Sequence, residues 1–238
     1  MTALILQGRM DSKRLPEKCL LPLEGEPLLF RVMEALLAVQ CDIRILACPE
    51  NCAAPFGKLA EKAGFVISPG SEDDVLERYC IAIRRYSPDL VIRATADNPF
   101  VFADAADALA QEAASLGADY AGYTGLPYGA GVEVLKAEAL LRAERESTAL
   151  YEREHVCPYL YNHGELFTLH RPLTPTKWQG PQLRLTVDNQ DDYLHAQKLY
   201  GLLSERTTSP ERYWGTKILE IADCILNPHQ TAQQRLSS

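Results

Sequence analysis

The chain of 238 residues lacks the features that would place it in several broad classes. Its seven cysteines, at 19, 41, 48, 52, 80, 157 and 224, form no Cys-x-x-Cys pair, so a structural zinc site has no ligand framework. Cys48 and Cys52 stand four apart, but Pro49 keeps them off one helical face. No apolar run approaches a membrane span, and the opening Met-Thr-Ala-Leu has no charged signal-peptide front. A cytoplasmic enzyme without a membrane partner is therefore the expectation. Positive charge is scarce: 24 Lys and Arg against 32 Asp and Glu give a formal net charge of -8, which argues against nucleic acid as a partner. The odd, scattered cysteine count fits a reducing compartment, with Cys41, Cys48, Cys80 and Cys224 as small core residues. His155, His163 and His170 have no carboxylate-flanked pair, so packing or surface roles are expected of them rather than metal ligation. Internal repeats and low-complexity linkers are absent as well.

What is present is apolar content of 47%, enough for a sizeable core, arranged in alternation. Apolar runs at 3–6, 43–47, 65–67, 89–93 and 118–121 predict strands, and patterns near 27–39, 52–63, 72–86 and 102–116 predict helices. The fold class is α/β, a mostly parallel sheet flanked by helices. The helix after Asp104 reads as a plain surface helix, with Gly117 as its C-cap. Beyond residue 122 the pattern loosens around Gly122, Gly125, Pro127, Gly129 and Gly131. A strand at 132–135, a helix at 137–146, a helical stretch at 148–162 interrupted by Pro158 and a strand at 166–170 follow. Residues 171–182 read as an irregular loop. A strand at 183–187 and helices at 190–205 and 210–225 complete the pattern, and the polar tail after Asn227-Pro228 is expected to fray. The organisation expected is one catalytic domain, 1–238, with an inserted substrate and dimerisation segment at 122–182.

The most informative segment follows the first strand. Gln7-Gly8-Arg9-Met10-Asp11-Ser12-Lys13-Arg14-Leu15-Pro16-Glu17-Lys18 puts Arg9, Lys13, Arg14 and Lys18 into ten positions of an acidic chain, with one small hydroxyl at Ser12. Clustered cations repel one another unless an anion holds them, and guanidinium and ammonium groups give phosphate oxygens charge-assisted hydrogen bonds. A loop leaving the carboxyl end of a strand lies where open α/β sheets bind ligands. Gly8 permits close backbone approach there. A solvated basic loop is the plainer alternative. The segment is not a P-loop, which needs two glycines before Lys-Ser/Thr.

Arg9-x-x-Ser12-x-Arg14-Leu15-Pro16-x-Lys18 resembles the opening motif of the sugar-acid cytidylyltransferases, which include the 3-deoxy-manno-octulosonate and acylneuraminate enzymes. The resemblance is strongest to the branch named for spore-coat polysaccharide biosynthesis protein F. Three later segments match that branch in order: Gly70-Ser71-Glu72-Asp73-Asp74-Val75-Leu76-Glu77-Arg78-Tyr79, Arg93-Ala94-Thr95-Ala96-Asp97-Asn98-Pro99-Phe100, and Arg184-Leu185-Thr186-Val187-Asp188-Asn189-Gln190-Asp191-Asp192. The resemblance covers roughly residues 3–200.

The resemblance implies a nucleotide-diphospho-sugar transferase fold, Rossmann-like, that joins CMP from CTP to a sugar or sugar acid and releases pyrophosphate for surface polysaccharide biosynthesis. Arg9, Ser12, Arg14 and Lys18 would hold the triphosphate, with Arg9, Arg14 and Lys18 acting in catalysis. Leu6, Gln7 and Gly8, beside the first strand, and Ser71, Asp74 and Arg78 in the second motif would contact base or ribose. A capping role for Ser71 and Asp74 is compatible with that. Asp97 and Asp188 each follow a predicted strand and are the candidate ligands for Mg2+, which favours oxygen donors and few protein carboxylates; helix capping is the alternative for each. Pro127, Tyr128, Gly129 and Glu133 correspond by position to a sugar-contacting stretch of the branch, although Gly131 stands where the branch often carries Asp. Glu154 and His155 match a further branch signature, for the acceptor or for a dimer interface. Tyr159, Tyr161, Phe167 and Trp178, read as exposed aromatics, favour a homodimer, with core packing as the alternative. Transfer of another nucleotide to a sugar phosphate is the competing enzyme reading, but Gln7-Gly8-Arg9-Met10 lacks the double glycine usual there. A non-catalytic nucleotide-binding homologue is the third.

Overall fold

Thr2-Ala-Leu-Ile-Leu-Gln7 forms strand β1, and both faces of it are buried, because Ala3 and Ile5 point to one core and Leu4 and Leu6 to the other. That is the pattern of a strand covered by helices on both sides. A computed structural model describes residues 1–206 and 209–226. The short strands β2 (Pro22–Leu23) and β3 (Glu26–Pro27) make a hairpin that sequence reading does not anticipate. The main sheet adds β4 (Ile43–Pro49), β5 (Val66–Gly70), β6 (Leu90–Thr95), β7 (Tyr120–Ala121), β8 (Glu133–Lys136) and β9 (Leu169–His170), in the order β5-β4-β1-β6-β8-β7-β9. Strands β5, β4, β1 and β6 are parallel; β8 runs antiparallel to both β6 and β7. The chain winds outward from β1 through β4 to β5 and then returns to β6 on the other side. The switch point therefore opens between the carboxyl ends of β1 and β6, where a doubly wound sheet takes its ligand.

Nine helices flank the sheet: α1 (Leu28–Leu36), α2 (Ala53–Lys62), α3 (Val75–Tyr86), α4 (Ala103–Leu116), α5 (Ala137–Glu146), α6 (Leu150–His155), α7 (Pro158–Asn162), α8 (Gln190–Arg206) and α9 (Gly215–Leu226), counted among the described residues. Pro158 does not break a helix so much as begin one, since it stands in the first turn of α7, where its missing N–H costs nothing. Gly117 caps α4 in the left-handed region at φ 62°. None of the described helices is long and apolar enough to cross a membrane.

Several expectations are corrected. Residues 183–187 do not join the sheet; they run extended, with a single bridge from Arg184 to Tyr128. Helix α4 is not a plain surface helix, because Asp104 accepts from the Trp178 indole and the Gly215 N–H, both at 2.8 Å, and ties the helix to the carboxyl-terminal segment. Tyr159, Phe167 and Trp178 are buried and Tyr161 is half-buried, so core packing accounts for them. The last helix starts at Gly215 rather than 210, preceded by a short 3-10 turn at Pro210–Tyr213. All seven cysteines are free; Cys48 and Cys80 are core residues as expected, whereas Cys41 and Cys224 are only half-buried. The expected fraying after Asn227 lies outside the described residues.

Candidate active site

A cleft of about 970 Å³ lies over the switch point, walled by the loop after β1, the end of β6, and residues 122–133. Most sequence-predicted residues line it: Gln7, Gly8, Arg9, Ser12, Arg14, Lys18, Arg78, Asp97, Pro127, Tyr128, Gly129, Glu133, Glu154, His155 and Asp188. Leu6 does not, being fully buried in β1, and Ser71 and Asp74 stand outside the lining.

Gly8 sits where the chain leaves the sheet, and a Cβ there would come within 3.1 Å of the Ala96 side chain, so the two sheet edges meet closely. Arg9 and Arg14 are largely exposed. Lys18 is not: its side chain is 14% exposed, and the ammonium donates to Asp97 Oδ2 at 3.1 Å, Asp188 Oδ1 at 3.1 Å and the Val187 carbonyl at 2.9 Å. Asp97 and Asp188, far apart in sequence, thus meet at one nitrogen. Arg14 reaches Asp188 Oδ1 at 3.1 Å, and Arg184 reaches Asp188 Oδ2 at 2.8 Å. Neither aspartate caps a helix. The N-cap of α4 is Phe102, and at the start of α8 it is the Asn189 side chain that accepts from Asp192 N–H at 2.9 Å. Asp188 hangs on the extended segment by Val187 N–H, which donates to the Asp97 carbonyl at 2.8 Å.

Ser71 and Asp74 are engaged in local structure. Ser71 Oγ accepts from Asp74 N–H at 3.1 Å, and Asp74, the true N-cap of α3, accepts from Glu77 N–H at 2.9 Å and from Arg153. The cap therefore falls three residues later than Ser71. Arg78 is 2% exposed and donates to the Ser71 carbonyl at 3.1 Å, while its Nε has no protein partner. Burial with no carboxylate beside it pulls its pKa down from the ordinary range. A donor-only group left in this state at a cleft wall is suited to an acceptor on a ligand.

Glu133 is engaged more deeply than its position in a strand suggests. It pairs with Arg93 on β6 and accepts from Tyr120 OH at 2.8 Å and Cys157 Sγ at 3.4 Å. Burial opposes the Arg93 charge, but the Glu133 carboxylate outweighs it and holds the guanidinium protonated. Burial and then Glu133 push the Tyr120 phenol and the Cys157 thiol up. Arg93, Tyr120 and Arg171 also line the cleft, and sequence reading passes over all three; the signal was an arginine inside an otherwise apolar strand.

On the other wall, Gly129 at φ 92° takes a conformation that side chains avoid, and a Cβ there would fall 2.7 Å from Thr186 N. Tyr128 is exposed and lies over the Arg184 guanidinium at 4.9 Å. Glu154 approaches Arg9 at 3.9 Å, and the His155 ring packs on Tyr151. His163 and His170 bond to the Tyr159 carbonyl and Glu112. No group of three or more His, Cys, Asp or Glu side chains gathers as a metal cage among the described residues.

The cytidylyltransferase family model matches residues 3–218. The spore coat polysaccharide biosynthesis protein SpsF of Bacillus subtilis is 34% identical over 85% of this chain and 87% of its own length. An uncharacterized protein of Methanocaldococcus jannaschii is 31% identical over 84% of each chain. Among solved structures, a cytidylyltransferase of Leptospira borgpetersenii superposes with a TM-score of 0.85 at 23% identity, covering 95% of this chain and 94% of its own. The synthetase of CMP-2-keto-3-deoxy-manno-octonic acid in complex with CTP superposes at 0.65 with 13% identity, covering 87% of this chain and 99% of its own.

Proposed function

Because the chain belongs to the cytidylyltransferase family, we propose that it transfers CMP from CTP to a sugar or sugar acid, in surface-polysaccharide biosynthesis and with Mg2+ as the divalent ion. The protein is an enzyme of the nucleotidyltransferase class. In the proposed reaction an acceptor hydroxyl oxygen bonds to the α-phosphorus of CTP and gives up its proton to water, while the bond to the β-phosphate bridging oxygen breaks and pyrophosphate leaves. The observation that carries this reading is the convergence of Asp97 and Asp188 on Lys18 at the switch point, beside the cationic loop.

Arg9, Ser12, Arg14 and Lys18 hold the triphosphate in this scheme, and Arg78 with Gln7 and Gly8 meets the nucleoside. Ser71 and Asp74 act through α3, whose start they fix and from which Arg78 projects. Asp97 and Asp188 offer two hard carboxylate oxygens, which fits a magnesium ion that takes its other oxygens from phosphate and water. When bound, such an ion would neutralise charge on the phosphoryl oxygens as bonds change. Residues 122–182 serve as the acceptor-binding and dimerisation segment: Pro127, Tyr128, Gly129 and Glu133 line the acceptor wall, with Glu154 and His155 at its rim. The exposed Leu150, Tyr151 and Leu173 on that segment support a homodimer. A cytoplasmic setting is consistent with seven free thiols.

The test is thermal unfolding with each nucleoside triphosphate and magnesium, since a ligand that binds only the folded state raises the melting temperature by mass action. CTP should give the largest rise. Equal rises for CTP, ATP, GTP and UTP remove the cytidylyl assignment. Pyrophosphate release over a panel of sugar acids and sugar phosphates then identifies the acceptor.

A further inference from the structure

Lys18 fills the place between the two carboxylates that a metal cation would occupy. The oxygens that meet it are singled out by their neighbours. Asp97 Oδ1 accepts from Thr95 Oγ1 at 2.6 Å, which leaves Oδ2 for Lys18. Asp188 Oδ2 accepts from Arg184 at 2.8 Å, which leaves Oδ1 for Lys18. Asp97 Oδ2 and Asp188 Oδ1 therefore face one shared point.

An ammonium group has three donors and no acceptor. Lys18 spends all three here, on Asp97, Asp188 and the Val187 carbonyl. A lysine so occupied has no N–H left for phosphate. To serve a triphosphate it must give up at least one of these acceptors, and if it leaves the pair Asp97 loses the counter-charge that Lys18 supplies, while Asp188 keeps Arg14 and Arg184. With the Lys18 side chain 14% and the Asp97 side chain 28% exposed, solvent makes good only part of that loss.

We infer that Lys18 is an exchangeable counter-ion: it leaves the Asp97–Asp188 pair for the triphosphate, and the divalent cation takes the position it vacates. This rests on the metal assignment proposed above. Triphosphate and divalent ion then strengthen each other's binding, reciprocally, because each relieves the cost of the other's arrival. Thr95 and Arg184 are positioning residues, keeping one oxygen of each aspartate turned to the exchange point.

Mn2+ titration of the nucleotide-free protein, followed by the electron paramagnetic resonance of free Mn2+, tests this without substrate or turnover. Lys18→Met keeps the aliphatic stem and removes the charge. It should bind Mn2+ about ten-fold or more tightly than the wild type, within the usual range of coupling between sites. Lys18→Met combined with Asp97→Asn should lose that gain. Lys18→Gln, measured alongside, covers the case in which Lys18→Met does not fold, and folding of each is checked by circular dichroism. Mn2+ affinity in the lysine variants no tighter than in the wild type overturns the exchange. That result with an inactive Asp97→Asn leaves the metal assignment standing, whereas normal turnover in Asp97→Asn removes the assignment itself.

Discussion

Arg93 on β6 donates through Nε to the side-chain oxygen of Gln7 on β1, 3.1 Å away. A guanidinium only donates, so the Gln7 amide is turned with its NH2 away from Arg93. Tyr79 OH, 3.2 Å from the same oxygen, reinforces that orientation. On its other side Arg93 pairs with Glu133, so one half-buried arginine links β1 to β8 through β6.

Removing Arg93 should therefore cost stability as well as activity. Arg93→Ala leaves the Glu133 carboxylate without its cation, and breaking a mostly buried pair costs about 3 kcal/mol or more. Urea unfolding measures it. Arg93→Met with Glu133→Gln should recover much of the loss, since the unpaired charge is then gone. A loss below about 1 kcal/mol in Arg93→Ala would place the pair in the weak, solvent-screened class.

Asp97→Asn keeps shape and loses the charge that attracts a cation. Turnover should fall by about two orders of magnitude or more, while CTP affinity by calorimetry without divalent ion is retained. A capping role would predict the opposite, because asparagine caps as well as aspartate.

Gly129→Ala should destabilise by about 1–3 kcal/mol, the cost of a strained backbone position, and lower the melting temperature. Its added methyl would sit at φ 92° against the Thr186 backbone nitrogen. Gly57→Ala, in α2 with nothing near its Cβ, is the control and should be neutral or stabilising.

Glu34 predicts a pH dependence. Burial alone would raise its carboxyl, but hydrogen bonds from Tyr200 and Arg31 and the Arg212 charge outweigh that and hold it below the ordinary 4.5. A depressed folded value means the unfolded chain takes up the proton first as pH falls. The contribution is therefore complete above pH 4.5 and is lost as pH drops through the folded value. The melting-temperature gap between wild type and Glu34→Gln should be full at pH 7 and shrink in acid. A gap that stays constant from neutral pH into strong acid contradicts it.

The strands and helices of the first half were legible because the signal there is local: apolar runs of the right length, alternating with helical patterns and punctuated by Gly and Pro. The site was legible as a motif set, since Lys18, Asp97 and Asp188 lie in the quoted segments and meet in space. Tertiary context decided the rest. Leu183–Val187 has strand composition, yet its backbone groups pair with Tyr128 and Asp97 instead of a sheet neighbour. Pro22–Leu23 and Glu26–Pro27 are too short for any periodicity to register. Tyr159 and Trp178 read as exposed because they flank a proline-rich loop, and only the fold buries them. Arg93 reads as the last residue of a predicted strand, and with its partner Glu133 40 residues away the pair leaves no local signal.

The wall formed by residues 122–133 and the segment carrying Asp188 are one piece of backbone architecture. Tyr128 N–H donates to the Leu183 carbonyl at 2.9 Å and its carbonyl accepts from Leu185 N–H at 2.8 Å, three residues before Asp188. A substitution that reshapes the wall around Tyr128 is thereby transmitted to one of the two acids. Under the proposed roles of that wall and that acid, acceptor preference and rate are coupled through these two backbone hydrogen bonds.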